Sequence, residues 1–316
     1  MPEVPNSSGS YAGVARLLRM LAAARLYKVL PLVLLLAIAA LSRGTVRPLA
    51  LVSASAFVFL VMVIGMHLNA ITDRAVDRVR KPHLAEWTMS SPWMLRAVLT
   101  VETLASLVFL LIAAAATPST RIVYSMVLFS ILSTTYSFNI FIPARGGPLR
   151  GKIHWLSHAL TIWGSYFCLW MIGFDCAAPA LPNAASSPVL LALFLSLVDY
   201  GVFIQESAND WAEERAANFR TLPALWGHYR TSALGLVLVI VGAVLSWHGI
   251  GQLSSISAVY ALQFLLGLEI LGAVASAATA QQPMDSAAPD RRNTEQLIDI
   301  VFWGSRLIPL VLLLIG

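Results

Sequence analysis

The chain has 316 residues, of which 58% are hydrophobic and only 12% charged, and its mean hydropathy is +0.75. That composition excludes an ordinary soluble domain and reads as a polytopic membrane protein. The net charge of +5 does not point to nucleic acid, because no basic patch is interleaved with aromatics and most charges sit in loops between apolar runs.

Residues 1–25 are polar at first and basic later, and read as a cytoplasmic N-terminal segment. The apolar run that follows reaches Leu41 without a clear small-residue cleavage site. It reads as a retained first span rather than a signal peptide. A span needs about 20 apolar residues. On that basis residues 26–316 form one transmembrane domain with spans near 26–42, 49–71, 93–116, 120–138, 153–174, 187–210, 231–249, 255–279 and 296–315. Thr117-Pro-Ser-Thr120 is a tight turn between the third and fourth. Asp175 with Pro179, Pro182 and Pro188 marks a loop after the fifth, and the polar segment 281–295 marks one before the ninth. Cys168 and Cys176 match no zinc or redox spacing and read as free structural thiols.

The basic residues give an orientation. With the N-terminus in the cytoplasm, the inside segments hold Arg16, Arg19, Arg25, Lys28, Arg74, Arg78, Arg80, Lys81, Arg145, Arg150, Lys152, Arg215, Arg220, Arg230, Arg291 and Arg292. The outside segments hold only Arg43, Arg47 and Arg121. This is the bias that cytoplasmic loops carry. The expected fold is an all-α polytopic membrane protein with nine transmembrane helices and a cytoplasmic N-terminus.

Two acidic clusters stand out. The second span runs into Asn69-Ala-Ile-Thr-Asp73-Arg-Ala-Val-Asp77, closed by Arg80-Lys81-Pro82. On a continuing helix, Asn69, Asp73 and Asp77 share one face. Carboxylates crowded on one face repel unless a cation lies between them, and hard oxygen ligands suit Mg2+. The plain alternative is a solvated helix end in which Arg74 and Arg78 balance the acids. The sixth span ends in Gln205-Glu206-Ser-Ala-Asn209-Asp210-Trp-Ala-Glu213-Glu214, and Arg220-Thr-Leu-Pro223 follows. Glu206, Asp210 and Glu214 repeat the same spacing. Spans two and six run in the same direction, so both clusters meet the cytoplasmic face. Together they could close over one pyrophosphate with Mg2+.

These motifs resemble those of the UbiA superfamily of intramembrane prenyltransferases. Asn69-x3-Asp73-x3-Asp77 with Lys81-Pro82 is similar to the first family motif. Asp210 to Glu214 with Arg220-Thr-Leu-Pro223 is similar to the second, with Glu at 206 and 214 where Asp is usual. Tyr136-Ser137, before a basic loop, resembles the segment between spans four and five. Nine spans around a central cavity, with the N-terminus inside, is also the family's architecture.

The resemblance implies a Mg2+-dependent enzyme at the cytoplasmic face that ionises an allylic prenyl pyrophosphate. The prenyl group would pass to a lipid-soluble, aromatic or other hydrophobic acceptor. It implies metal ligands at Asn69, Asp73, Asp77, Glu206, Asp210 and Glu214, with Asp73, Asp77 and Asp210 central to catalysis. Lys81, Tyr136, Arg145, Arg150 and Lys152 would bind substrate. Tyr136, Phe138, Trp155, Trp163 and Tyr166 are candidates to face an allylic cation, or else are interfacial anchors. A terpene cyclase on the same fold is an alternative. A cation transporter using intramembrane carboxylates fits less well, since transporter sites lie near the midplane. Glu102, Asp199 and Glu269 are costly in lipid and should face a cavity or a partner. Asp199 could share the cavity of Glu206, and Arg306 could pair with Asp299 on its own span. His154 and His158 have metal-ligand spacing but no third ligand nearby, and read as a hydrogen-bonded pair.

Overall fold

The computed structural model describes residues 25–72, 92–136, 154–177, 188–209, 211–216, 220–251, 255–280 and 303–315, with single residues at 218 and 253 and two short strands. Backbone in hydrocarbon must satisfy its own hydrogen bonds, so apolar runs become helices. The described helices are α1 (Leu26–Ser42), α2 (Pro48–Thr72), α3 (Pro92–Ala115), α4 (Thr120–Thr135), α5 (Trp155–Cys176), α6 (Pro188–Ala208), α7 (Trp211–Ala216), α8 (Leu222–Ile250), α9 (Ile256–Thr279) and α10 (Trp303–Ile315). Pro48, Pro92 and Pro188 open α2, α3 and α6, where a missing N–H costs nothing. A two-residue pairing, β1 (Pro143–Ala144) with β2 (Gly147–Pro148), lies in the loop after α4. Sequence pattern gave no sign of it, because four residues carry no readable period.

Among the described residues six helices are long and apolar enough to cross a bilayer: α2, α5, α6, α8 and the greater parts of α3 and α9. The chain is therefore an integral, multi-pass helical membrane protein. α1, α4 and α10 are apolar but shorter and lie at the other three expected spans. One boundary differs clearly. Residues 222–230 are expected in a loop, yet α8 begins at Leu222. Thr221 caps it by accepting from the Ala224 N–H at 3.4 Å, and Pro223 fits its first turn. The helix is interrupted at Gly227, whose φ of +79° is open to glycine and strained for other residues. The sequence alone shows only the polar stretch up to Arg230 and places the span after it.

The core runs between α1, α2, α5 and α6. Leu35 and Ile38 of α1, Phe57 and Val58 of α2, Trp170 and Ile172 of α5 and Leu195 of α6 are all buried. By contrast, α3 exposes Leu104, Leu107 and Leu111. Lipid tails are as apolar as leucine, so this face needs no cover. α6 packs most extensively on α8, and glycines permit it. A Cβ on Gly201 would stand 2.7 Å from the Gly235 carbonyl oxygen, and one on Gly235 would stand 2.6 Å from that of Gly201. Small residues let two membrane helices approach this closely. α6 carries Glu206, so this contact also fixes the depth of one candidate site residue.

The three arginines expected outside, Arg43, Arg47 and Arg121, gather at one end of the bundle. There the Arg121 guanidinium grips the Asp175 carboxylate, with Nε at 3.0 Å from each oxygen. Arg43 lies over the Phe174 ring at 5.6 Å, and the Arg47 N–H donates to the Cys176 carbonyl at 3.0 Å. Asp175 is therefore inside α5, not in the following loop: its pairing with Arg121 extends the helix past the point where the sequence turns polar. Cys168 and Cys176 are buried free thiols. Arg25 and Lys28 lie at the opposite end of α1 from Arg43. If the basic residues set the orientation, cysteines introduced at Thr120 and Arg292 will be labelled from opposite sides of the membrane by an impermeant reagent. Labelling of both from one side would overturn that topology.

Candidate active site

A cavity of about 240 Å³ opens among α1, α2, α4, α5, α6 and α7. Helical periodicity builds its wall. α2 presents Met62, Gly65, Met66 and Asn69, spaced three and four apart. α4 presents Phe129 and Ser133, with Tyr136 just past its end, and α5 presents Ile162, Ser165, Tyr166 and Leu169 in the same rhythm. α6 adds Val202, Phe203, Glu206 and Ser207, α7 adds Glu214, and α1 adds Lys28 and Leu32 with Arg25 just before it. The charged residues Arg25, Lys28, Glu206 and Glu214 and the amide of Asn69 belong to helix ends. One to two turns deeper the wall becomes Leu32, Met62, Phe129, Ile162 and Leu169. The cavity is thus amphipathic along its length, polar at its mouth and greasy inside.

Of the residues expected from sequence, Asn69, Tyr136, Glu206 and Glu214 are described, and all four line this cavity. Asp73, Asp77, Lys81, Arg145, Arg150, Lys152 and Asp210 lie outside the described residues. So do Phe138 and Asp299. Asn69 stands one turn before Asp73 in the chain.

The second cluster is not one continuous helix. α6 ends at Ala208, and the Asn209 N–H bonds back to the Glu206 carbonyl at 3.2 Å, a tight terminal turn. The Asn209 side chain meets His228 Nε2 at 3.0 Å, and α7 starts afresh at Trp211. Glu206 and Glu214 therefore stand on two different helices, and Asp210, the middle of the expected row, lies outside the described residues. The physical reason is that asparagine competes well for turns and here has a fixed partner. Glu206 and Glu214 nevertheless reach the same cavity.

Each acid is held. Lys28 Nζ is ion-paired with Glu206. The Thr221 hydroxyl donates to Glu214 Oε2 while also capping α8. Thr221 is in turn anchored, because the preceding Arg220 carbonyl accepts from the Trp155 N–H at 2.9 Å at the start of α5. The Arg220-Thr-Leu-Pro223 segment thus positions Glu214 through a short chain of bonds. Among the described residues no group of three or more His, Cys, Asp or Glu side chains forms a ready-made metal cage. The donors present, Asn69, Glu206 and Glu214, are hard oxygens gathered at one mouth, and this chemistry fits Mg2+.

Other expectations are corrected. Asp199 does not line this cavity. It is buried, accepts from Trp170 Nε1 at 2.7 Å and from Arg306 Nη2 at 2.9 Å. Arg306 also holds Glu269, which accepts from the Ser305 hydroxyl at 2.7 Å. Arg306 thus meets acids on two other helices, which spacing along its own span does not reveal, while Asp299 lies outside the described residues. Glu102 pairs with His67 at 3.0 Å, the partner that its place in a span demands. His154 and His158 are not a pair. His154 caps α5 by accepting from the Leu156 N–H at 3.3 Å, whereas His158 is buried with its ring against Tyr136 and Phe203. The helix begins only at Trp155, and the two rings have different partners. Trp163 donates to Ser196 at 2.9 Å and does not line the cavity. Trp155 is half-exposed.

Lys28, Arg25, Phe129 and Phe203 are lining residues that motif reading missed. Lys28 and Arg25 carried a signal, being three apart at the start of a span, but it was absorbed by the general inside bias of basic residues. Phe129 and Phe203 carried none, since a phenylalanine in an apolar run is indistinguishable from any other lipid-facing or core side chain.

No family model matches the chain. Digeranylgeranylglyceryl phosphate synthase of Halobacterium salinarum is 27% identical over 201 residues, covering 63% of this chain. The chain spans 65% of the length of that curated relative. A UbiA homolog from Archaeoglobus fulgidus, solved bound to DMAPP and Mg2+, aligns over 93% of this chain and 99% of its own, with a TM-score of 0.58 and 17% identity. The same homolog bound to GPP and Mg2+ gives 0.57 and 17% over the same shares. The protein therefore has the fold of the UbiA homologs, and the resemblance read from its motifs holds across nearly the whole chain at the level of that fold.

Proposed function

We propose that this protein is a Mg2+-dependent intramembrane prenyltransferase that ionises an allylic prenyl pyrophosphate and transfers the prenyl group to a lipid-soluble aromatic acceptor. The observation that carries this reading is the cavity itself. Oxygen donors and ammonium or guanidinium groups stand at its mouth, and an aromatic-lined apolar bore leads inward. A prenyl pyrophosphate has the same polarity, a polyanionic head on an apolar tail. The A. fulgidus homolog, solved with DMAPP, GPP and Mg2+, supports the assignment.

Bound Mg2+ would neutralise the pyrophosphate and stabilise it as a leaving group. Asn69, Asp73 and Asp77 would hold it on one side, and Asp210 and Glu214, with Glu206 assisting, on the other. Arg25 and Lys28 bring positive charge to the same mouth, where charge-assisted bonds to phosphate oxygens are strong. In our reading Lys81, Arg145, Arg150 and Lys152 add to that field from the loops, and Tyr136 lines the passage inward. The allylic cation would lie deeper, against Phe129, Tyr136, Tyr166 and Phe203, where ring faces attract it by about 0.5–2 kcal/mol each. The surrounding Leu32, Met62, Ile162 and Leu169 keep out water that would trap the cation as an alcohol.

The direct test is incubation of the purified protein with Mg2+ and dimethylallyl, geranyl or longer pyrophosphates, with and without phenolic acceptors, followed by product masses. A prenylated acceptor is expected. A cyclised hydrocarbon formed without acceptor would replace transfer by cyclisation, and untouched pyrophosphate would overturn both.

The second cluster gives a sharper test. Glu214 lines the cavity, so Glu214→Gln is expected to raise the Mg2+ concentration for half-maximal turnover by about tenfold or more, the loss of one charged ligand contact. Glu213→Gln is expected to change it less than twofold, since metal affinity there rests on Asp210 and Glu214. A Mg2+ titration showing the reverse order would move the ligand to Glu213.

A further inference from the structure

The last three residues of α5 each meet an arginine from elsewhere in the chain. The Arg43 guanidinium lies over the Phe174 ring at 5.6 Å. Arg121 holds the Asp175 carboxylate, with Nε 3.0 Å from each oxygen. The Arg47 N–H donates to the Cys176 carbonyl at 3.0 Å, and its side-chain charge acts on the Cys176 thiol. Three guanidiniums thus gather about one helix end.

Their charge is not balanced there. Residues 43–47, 116–121 and 176–188 join the helices at this end, and they contain these three arginines but no Asp, Glu or Lys. The acid beside them is Asp175, which is buried and already gripped through both oxygens by Arg121. Among the described residues Arg43 and Arg47 form no ion pair. Arg43 is near enough to Arg121 and Asp175 to feel both, and the repulsion from Arg121 exceeds the attraction of Asp175. It is only partly exposed, at the rim of the hydrocarbon, where an unpaired charge is costly. What this end lacks is an anion. Guanidinium groups match phosphate oxygens with paired N–H donors. Two surplus cations favour a net anionic headgroup over one that brings its own ammonium.

The neighbouring surface says what carries the phosphate. Arg121 opens an exposed stripe on α4, continued by Tyr124, Leu128 and Ile131 at steps of three and four. A tyrosine one turn below a cationic end is where interfacial aromatics sit. A phosphate with an acyl chain beneath it uses both parts of this surface, whereas a soluble phosphate uses only the first. Arg25 and Lys28 stand at the other end of α1, so this surface is separate from the mouth of the candidate active site.

We propose that Arg43, Arg47 and Arg121 bind the phosphate of an anionic phospholipid in the leaflet away from the active-site mouth, with an acyl chain laid along Tyr124, Leu128 and Ile131 of α4. The headgroup supplies the anion that the chain does not place there itself.

The test is native mass spectrometry of the full chain in detergent, titrated with dioleoylphosphatidylglycerol or dioleoylphosphatidylcholine. Wild type is expected to retain the first at about tenfold lower concentration, the scale set by two basic groups beside an anionic headgroup. The double variant Arg43→Gln, Arg47→Gln should bring the two lipids to within about twofold of each other. The double variant Arg96→Gln, Arg230→Gln removes the same charge from exposed positions on α3 and α8 and should keep the preference. A second readout needs no variant. Phosphatidylglycerol with a photoreactive acyl chain, in nanodiscs, should cross-link to wild type within residues 121–131. Glycerol 1-phosphate in excess should leave the retained lipid in place. Displacement by it would make this a soluble-anion site and overturn the proposal. So would cross-links confined to other segments, or a preference that is missing from wild type, survives in the Arg43, Arg47 variant or vanishes equally in the Arg96, Arg230 variant.

Discussion

Replacing Asp73 or Asp77 by alanine is expected to lower kcat/KM for prenyl pyrophosphate by at least about 100-fold, the loss typical when one preorganised electrostatic contact to developing charge is removed. The variants should still extract and run as folded protein, because Asn69, one turn earlier on α2, already faces the cavity and not the apolar core. The expectation rests on three links. If the helix continues past Thr72, spacing would put Asp73 and Asp77 on the face of Asn69. The cavity mouth that Asn69 lines also holds Glu206 and Glu214. A pyrophosphate cannot settle among carboxylates unless cations lie between them. EDTA should therefore abolish turnover in wild type, and added Mg2+ should restore it. Activity close to wild type in either alanine variant would reduce the first cluster to a solvated helix end.

How much of this was legible in the sequence depends on the range of the interaction concerned. The expected spans fell on helices because hydropathy is a property of each segment by itself, as 26–42 and α1 show. Asn69, Tyr136, Glu206 and Glu214 were legible because each ends a span or starts a loop, where a polar group in an apolar run has to be explained. What failed was whatever depended on a partner far along the chain. The turn at Asn209 that ends α6 has His228 as a partner, and nothing near Asn209 announces that histidine. The extension of α5 through Asp175 needs Arg121, 54 residues earlier. Lys28 meets Glu206 across 178 residues, and no local pattern encodes that distance. The partly glycine-lined contact of α6 and α8 is intermediate. Gly201, Gly235 and Gly242 stand in plain view, but only the structure shows which faces they open.

Arg306→Met is expected to be the most damaging single change to stability. Arg306, Asp199 and Glu269 are each 2% exposed or less, and they join α10 to α6 and α9. Trp170 of α5 and Ser305 of α10 complete the group by donating to Asp199 and Glu269. Removing one partner of a buried ionic group costs about 3–5 kcal/mol, because the remaining charge cannot return to water. Here two carboxylates would be left facing each other with no guanidinium between them. The midpoint of unfolding in detergent should therefore fall sharply, and α10 should become the first helix cut by limited proteolysis. The ion group itself need not be worth that much, since apolar replacement of a whole buried cluster is often neutral or better. The triple variant Arg306→Met, Asp199→Asn, Glu269→Gln should accordingly be more stable than Arg306→Met alone. Non-additivity of that kind is the mark of residues acting as one unit. A single variant that unfolds like wild type, or a triple variant no better than the single, would show that these charges are solvated in the membrane and do not hold the ninth expected span to the bundle.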